Sequence, residues 1–104
     1  MNLPSKQIKE DVFLQMLKDL TLAGFQMTDA PGFEKGYDFL FNFFQVQLKQ
    51  APSNLRRFLY TADITEHTIA TKVTSHIPSE AAAQLLELAL ERMQIKIDLR
   101  KKYS

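Results

Sequence analysis

Residues 79–102, SEAAAQLLELALERMQIKIDLRKK, decide the fold of this chain. Their apolar members recur with the 3.6-residue period of an α-helix. Ser79 follows Pro78 and is expected to be the N-cap, because its hydroxyl can accept a hydrogen bond from a first-turn amide. Glu80 near the start and the cations Arg100 to Lys102 at the end suit the partial charges of the two helix termini. We predict one long helix that the rest of the chain covers.

The apolar side chains of this helix fall on two adjacent stripes at 100° per residue. The first stripe contains Ala82, Leu86, Ala89, Leu90, Met93 and Ile97, and the second contains Leu85, Leu88, Ile95 and Leu99. Together the stripes cover more than half of the circumference, as a helix needs when it contacts several neighbours or a second chain. A narrow arc is left for water, with Gln84, Glu87, Glu91, Gln94 and Asp98.

A row of basic residues interrupts this pattern in the second half of the helix, where Arg92, Lys96 and Arg100 recur at i, i+4 and i+8. The candidate anion- or partner-binding residues are Arg92, Lys96, Arg100, Lys101, Arg56 and Arg57. Long basic side chains also lie along apolar surface, and cations favour helix C-termini without any ligand. We expect the row to pack against a neighbouring helix near Asp or Glu.

Composition places the chain among small soluble proteins. Its 104 residues are 45% hydrophobic and 24% charged, which suits one globular domain over residues 1–104. No apolar run is long enough to span a membrane, and the N-terminus lacks the apolar core of a signal peptide. The absence of cysteine excludes disulfides, thiolate metal sites and cysteine nucleophiles. We expect a cytoplasmic protein with no membrane contact.

The first helix is expected to begin after the N-cap Ser5 and to end near Ala23. Its core face contains Val12, Phe13, Met16, Leu17 and Leu20, and its water-facing side contains Glu10, Asp11, Gln15, Lys18 and Asp19. Gly24 suits the left-handed residue that ends a helix, and Phe25 can then pack back on the last turn.

The middle of the chain is harder to assign. Residues 33–49 fit a helix, although alternation over 44–49 also fits a strand. Ser53 is expected to cap a helix over 53–62, with Leu55, Phe58, Leu59 and Ala62 on its core face. Residues 63–77 fit a helix capped by Thr65, or a strand over 69–74 that pairs with 57–64 in a hairpin. The predicted fold is all-α, a small bundle of four to five helices. The alternative is α+β, with a three-stranded antiparallel meander between two helices.

A combination of residues in the second half of the chain carries a resemblance. It consists of Leu59-Tyr60, Asp63-Ile64 and Glu66, followed by Glu91-Arg92, Lys96, Arg100 and Tyr103 in the last helix. This combination resembles the C-terminal half of short uncharacterised bacterial proteins of helical type. The resemblance favours helix over strand for residues 53–62, and it implies no activity, cofactor or site residue.

No constellation of residues indicates an enzyme. His67 and His76, the only histidines, lack the spacing of a helical metal pair. The three glycines do not form a phosphate-binding loop, and no serine lies in a nucleophile elbow. We therefore predict a protein that is not an enzyme and that uses no cofactor.

Two functions fit the sequence. The first is a protein-interaction module that self-associates, since two helices have more apolar surface than a monomer needs. Its candidate interface is Phe39, Phe43 and Val46, or Leu88, Ile95 and Leu99. The second is a nucleic-acid or polyanion binder that uses the basic C-terminal helix. A net charge of only +1 argues against the second function.

Overall fold

A computed structural model describes residues 7–103 of the chain. All regular structure within these residues is helical, with five α-helices and one short 3-10 turn. The elements are α1 (Glu10–Leu22), the 3-10 turn (Phe33–Lys35), α2 (Gly36–Gln50), α3 (Pro52–Thr61), α4 (Glu66–Lys72) and α5 (Pro78–Tyr103). The predicted all-α bundle is confirmed. The strands considered as alternatives for 44–49, 57–64 and 69–74 are helix or loop instead.

The long helix α5 is the centre of the fold and packs against α1, α2 and α4. At about 1.5 Å per residue its 26 residues span about 39 Å, nearly the full 41 Å length of the molecule. The first predicted stripe is buried, apart from the half-buried Leu90. The second stripe divides: Leu85 is buried and Leu88 is half-buried, whereas Ile95 and Leu99 are exposed.

The core is built from side chains of α1, α2, α3 and α5. Its largest fully buried side chains are Phe13, Met16, Leu20, Leu40, Phe44, Leu55, Phe58, Leu86 and Met93. Phe44 and Phe58 meet edge to face, with ring centroids 6.3 Å apart. Gly36 lets α2 approach α1 closely, since a Cβ at this position would lie 2.7 Å from the Phe13 ring. The four residues predicted for the core face of 53–62 are all buried.

Helix α1 differs from its prediction at the start and agrees at the end. The helix begins at Glu10, and the predicted cap Ser5 lies outside the described residues. Ile8 precedes the helix and is buried in the core. At the C-terminus Gly24 has a φ of +103°, and the Phe25 amide donates to the Leu20 carbonyl at 3.0 Å. These are the features of the predicted left-handed cap.

Two predicted serine caps are wrong, because the preceding proline begins each helix. Helix α3 begins at Pro52 and α5 begins at Pro78, so Ser53 and Ser79 lie inside the first turn. Proline suits the first helical position, since its fixed φ is helical and its missing N–H would have no partner there. Thr65, by contrast, caps α4 as predicted and accepts from the Thr68 amide at 3.1 Å.

The loop between α4 and α5 is fastened by side chains of α5. Gln84 Oε1 accepts from the backbone amides of Thr74 and Ser75, each at 3.1 Å. Ser75 Oγ donates to Glu80 Oε2 at 2.7 Å and accepts from the Ile77 amide. The sequence had placed Gln84 on the water-facing arc, whereas the side chain binds this loop.

Candidate interaction surface

Arg92 caps the C-terminal end of α3. Its Nε donates to the carbonyl of Ala62 at 3.0 Å, and its Nη2 lies 3.2 Å from Asp63 Oδ2. A guanidinium at a helix C-terminus is favourable because the last carbonyls carry partial negative charge. Asp63 has a φ of 62°, the only positive φ among the described residues other than glycine. Its left-handed backbone brings the Ile64 amide to the Leu59 carbonyl at 2.9 Å.

Lys96 and Arg100 bind two polar residues of α1. Lys96 Nζ lies 3.0 Å from Asp19 Oδ2, and Arg100 Nη2 donates to Gln15 Oε1. Gln15 Nε2 in turn donates to Asp19 Oδ1 at 2.8 Å. Both α1 residues are buried, each 6% exposed. The predicted water-facing side of α1 is therefore wrong at these two positions, where the polar groups face α5.

A third pair extends this contact, since Lys101 Nζ lies 3.7 Å from Asp11 Oδ2 at the exposed end of α1. We call the three pairs Asp11–Lys101, Gln15–Arg100 and Asp19–Lys96 the α1–α5 ladder. Its spacing is visible in the sequence, because 15 and 19 are four apart, as are 96 and 100. In two antiparallel helices such series can face each other residue by residue. The sequence alone, however, does not show which helices are neighbours.

Arg56 and Arg57 do not join this basic row. Both are exposed on α3, and Arg56 lies beside Ile69 and Leu85. Leu85 precedes Lys96 by about three turns of α5, a distance of about 16 Å. The six candidate cations therefore do not form one continuous surface.

Ile95 and Leu99 form an exposed apolar patch on the C-terminal half of α5. They are 45% and 47% exposed, one turn apart, and the half-buried Leu88 precedes them on the same face. We call Leu88, Ile95 and Leu99 the α5 apolar patch. A groove of about 230 Å³ adjoins it, lined by Thr61, Ala62, Asp63, Arg92, Met93, Ile95, Lys96 and Leu99.

The other candidate interface packs largely within the chain. Phe43 meets Phe25 edge to face at a centroid distance of 5.0 Å, and Phe39 stacks beside Phe43 at 6.5 Å. Both Phe39 and Phe43 are half-buried, and only Val46, at 44%, is clearly exposed. We call Phe39, Phe43 and Val46 the aromatic stripe. Its two phenylalanines pack the loop after α1 on α2.

A cleft of about 430 Å³ lies between the start of α1 and α5, where Ile8, Val12 and Leu90 meet Glu87 and Glu91. No three His, Asp or Glu side chains in residues 7–103 are grouped as a metal site would require. Over the same residues, none of the helices has the length and apolar character needed to cross a bilayer.

No protein-family model, curated protein or solved structure matches this chain. The resemblance of the C-terminal half to short bacterial helical proteins therefore stays a hypothesis.

Proposed function

We propose that the protein is a small helical interaction module that self-associates through the α5 apolar patch. The observation that carries the proposal is the exposure of Ile95 and Leu99, at 45% and 47%, on a helix whose other face builds the core. Covering this surface would be favourable by about 25 cal/mol per Å² of apolar area. A second copy of the chain offers a matching apolar surface by symmetry.

The structure favours this patch over the aromatic stripe as the contact. Phe39 and Phe43 already pack on neighbouring rings, so a partner would gain little from them. Ile95 and Leu99 of the α5 apolar patch are more exposed than either phenylalanine, and both line the groove beside Asp63 and Arg92. Such a concave edge can receive a side chain from the facing helix.

The contact we propose is weak. The exposed part of α5 from Leu88 to Tyr103 is about 24 Å long, and one pair of helices of that length buries less than a standard interface of about 1,600 Å². We therefore expect dimers at micromolar or higher concentration, in exchange with monomers, and not an obligate assembly.

Sedimentation equilibrium over a range of concentrations tests the proposal. We expect the average mass to rise above the 12.0 kDa of one chain, and Leu99→Glu to return it to monomer because the charge cannot be buried in an apolar contact. Leu22→Glu is the matched control, since Leu22 is 77% exposed on α1. Val46→Glu examines the aromatic stripe in the same way.

Each outcome decides between named surfaces. A mass equal to that of one chain at every concentration would contradict the proposed self-association. A dimer that survives Leu99→Glu and dissociates with Val46→Glu would move the contact to α2. Circular dichroism of each variant must show an unchanged helical spectrum, because only a folded variant reports on association.

Polyanion binding receives less support from the positions of its candidate residues. Arg92 and Lys96 have carboxylate partners within the chain, and Arg100 has the Gln15 amide. A phosphate backbone would have to compete with these contacts.

A further inference from the structure

We infer that the two copies pair in parallel, with their α5 helices side by side and in register. The inference rests on the proposed function, since it concerns the orientation of that self-association. It follows from two properties of the exposed side of α5, the spacing of its residues and the distribution of charge beside them.

The spacing is that of a coiled-coil seam. Leu85, Leu88, Arg92, Ile95, Leu99 and Lys102 follow one another in alternating steps of three and four. A repeat of 3.5 residues keeps one face of a helix against a partner along its length. Leu85 is buried in the monomer core, so the seam between two copies begins at Leu88.

The charges beside the seam differ between its two edges. At 100° per residue, Glu91 and Asp98 lie on one edge of the seam, and Lys96 lies on the other. Both acids are exposed. One edge of the seam is therefore acidic, and the other has the cation Lys96, whose side chain is 47% exposed beside Asp19.

Twofold symmetry turns this asymmetry into a choice of orientation. When the axis is parallel to the helices, each acidic edge faces the basic edge of the other copy. When the axis is perpendicular and the helices are antiparallel, acid faces acid and base faces base. Opposed like charges are unfavourable across an interface. The antiparallel arrangement opposes the two acidic edges along the seam, whereas the parallel one opposes the two exposed Lys102 side chains at the end of the seam. The parallel arrangement is therefore the favourable one.

The parallel register brings Glu91 near Lys96 of the second copy, the five-residue offset typical of flanking charges in parallel coiled coils. The Lys96 side chain is 47% exposed although it contacts Asp19, and its ammonium has three donors. Arg92 occupies a seam position, but its bonds to Ala62 and Asp63 hold the guanidinium to one side. The two arginines need not meet.

Neutralising the acidic edge distinguishes the two orientations by the sign of the effect. Glu91→Gln with Asp98→Asn should raise the dimer Kd about tenfold at low salt, because exposed ion pairs are worth up to about 1 kcal/mol each. Added salt should also weaken the wild-type dimer. An antiparallel dimer would respond oppositely and tighten in both experiments. Asp29→Asn with Asp38→Asn is the control of equal charge change away from the seam.

A single cysteine gives an independent measurement, because the chain contains none. Lys102→Cys at the end of the seam should form a disulfide-linked dimer under mild oxidation, since parallel helices bring the two positions within bonding range. In an antiparallel pair centred on Ile95 the two positions would be about 21 Å apart along the axis. Ser53→Cys, exposed on α3, controls for random collision.

The results separate the orientation from the association. A dimer that tightens on neutralisation and does not cross-link at 102 would overturn the parallel arrangement and leave the proposed function in place. A chain that is monomeric at all concentrations, or a dimer indifferent to Leu99→Glu, would overturn both. A dimer that weakens on neutralisation and cross-links at 102 supports both.

Discussion

Lys96 Nζ lies 3.0 Å from Asp19 Oδ2 across 77 positions of the chain, and only 7% of that aspartate side chain is exposed. The second oxygen of the carboxylate accepts from Gln15 Nε2. Both oxygens therefore face N–H donors, and one of the donors comes from α5. The contact joins the C-terminal half of α5 to α1.

Asp19→Asn should lower the free energy of unfolding by about 2 kcal/mol. Its amide must place a donor against either Lys96 or Gln15, both of which also donate, and a buried group loses its acceptor. Urea denaturation measures the change. Asp11→Asn is the matched control, because the Asp11–Lys101 pair is exposed at 3.7 Å and should change stability by less than about 0.5 kcal/mol. Equal losses of unfolding free energy in the two variants would contradict the expectation that the buried Asp19 contact contributes more than the exposed Asp11 contact.

Asp63→Gly should leave stability within about 0.5 kcal/mol of the natural chain. Glycine loses the contact with Arg92 but adopts the φ of 62° without strain. Asp63→Ala loses the same contact and keeps the strain, so we expect it to be less stable than the glycine variant by about 1 kcal/mol. Thermal unfolding of the two variants gives this difference. An alanine variant as stable as the glycine variant would show that the backbone is unstrained.

Gly36→Ala should destabilise the fold by about 1–3 kcal/mol, because its Cβ would meet the buried Phe13 ring at 2.7 Å. Gly32→Ala is the control at the same distance. There the nearest atom is Glu34 Oε2, the end of a flexible exposed side chain that can move aside. Denaturation that ranks the two variants in the opposite order would argue against close approach of α1 and α2.

Leu86→Ala and Phe44→Ala should each cost about 3 kcal/mol, since both side chains are fully buried and their removal leaves cavities in the core. Leu22→Ala, at a leucine that is 77% exposed, should change stability by less than about 0.5 kcal/mol. A loss below about 1 kcal/mol at Leu86 or Phe44 would show that the core relaxes around the deletion.

Replacing Arg92, Lys96 and Arg100 together by Gln should lower thermal stability, because each cation has a partner within the chain. We expect no binding of duplex or single-stranded nucleic acid at physiological salt. Three phosphate contacts would give a log–log salt slope of about −2 to −3. Micromolar binding that the triple change abolishes in a fully folded protein would favour the polyanion function.

The sequence predicted the helices better than the contacts between them. Local periodicity located the buried face of α5, and the spacing of Leu55, Phe58, Leu59 and Ala62 correctly predicted a helix. Two helices begin a residue or more before their predicted starts, because Pro52 and Pro78 themselves suit the first helical position. The exact first residue of a helix depends on small differences between neighbouring positions, so a sequence pattern locates it only to within one or two residues.

The candidate site depended on information that one helix does not contain. Gln15 and Asp19 look water-facing on α1, and Lys96 and Arg100 look water-facing or ligand-binding on α5. Their role as contacts between α1 and α5 becomes visible only when the two helices lie side by side, because the pairs are 77 and 85 residues apart in the sequence. The exposed Ile95 and Leu99 belonged to a stripe that was predicted as an interface, and the fold leaves them uncovered.

The arrangement around α4 has a consequence for how the chain can be divided. Helix α4 contains no buried residue, and the loop after it is held to α5 by the hydrogen bonds of Gln84 and Ser75. Helix α5 itself packs on α1 and α2, which precede that loop. A cut between Thr71 and Thr74 should therefore yield two fragments that recombine into the native core, with α5 supplied in trans as a peptide.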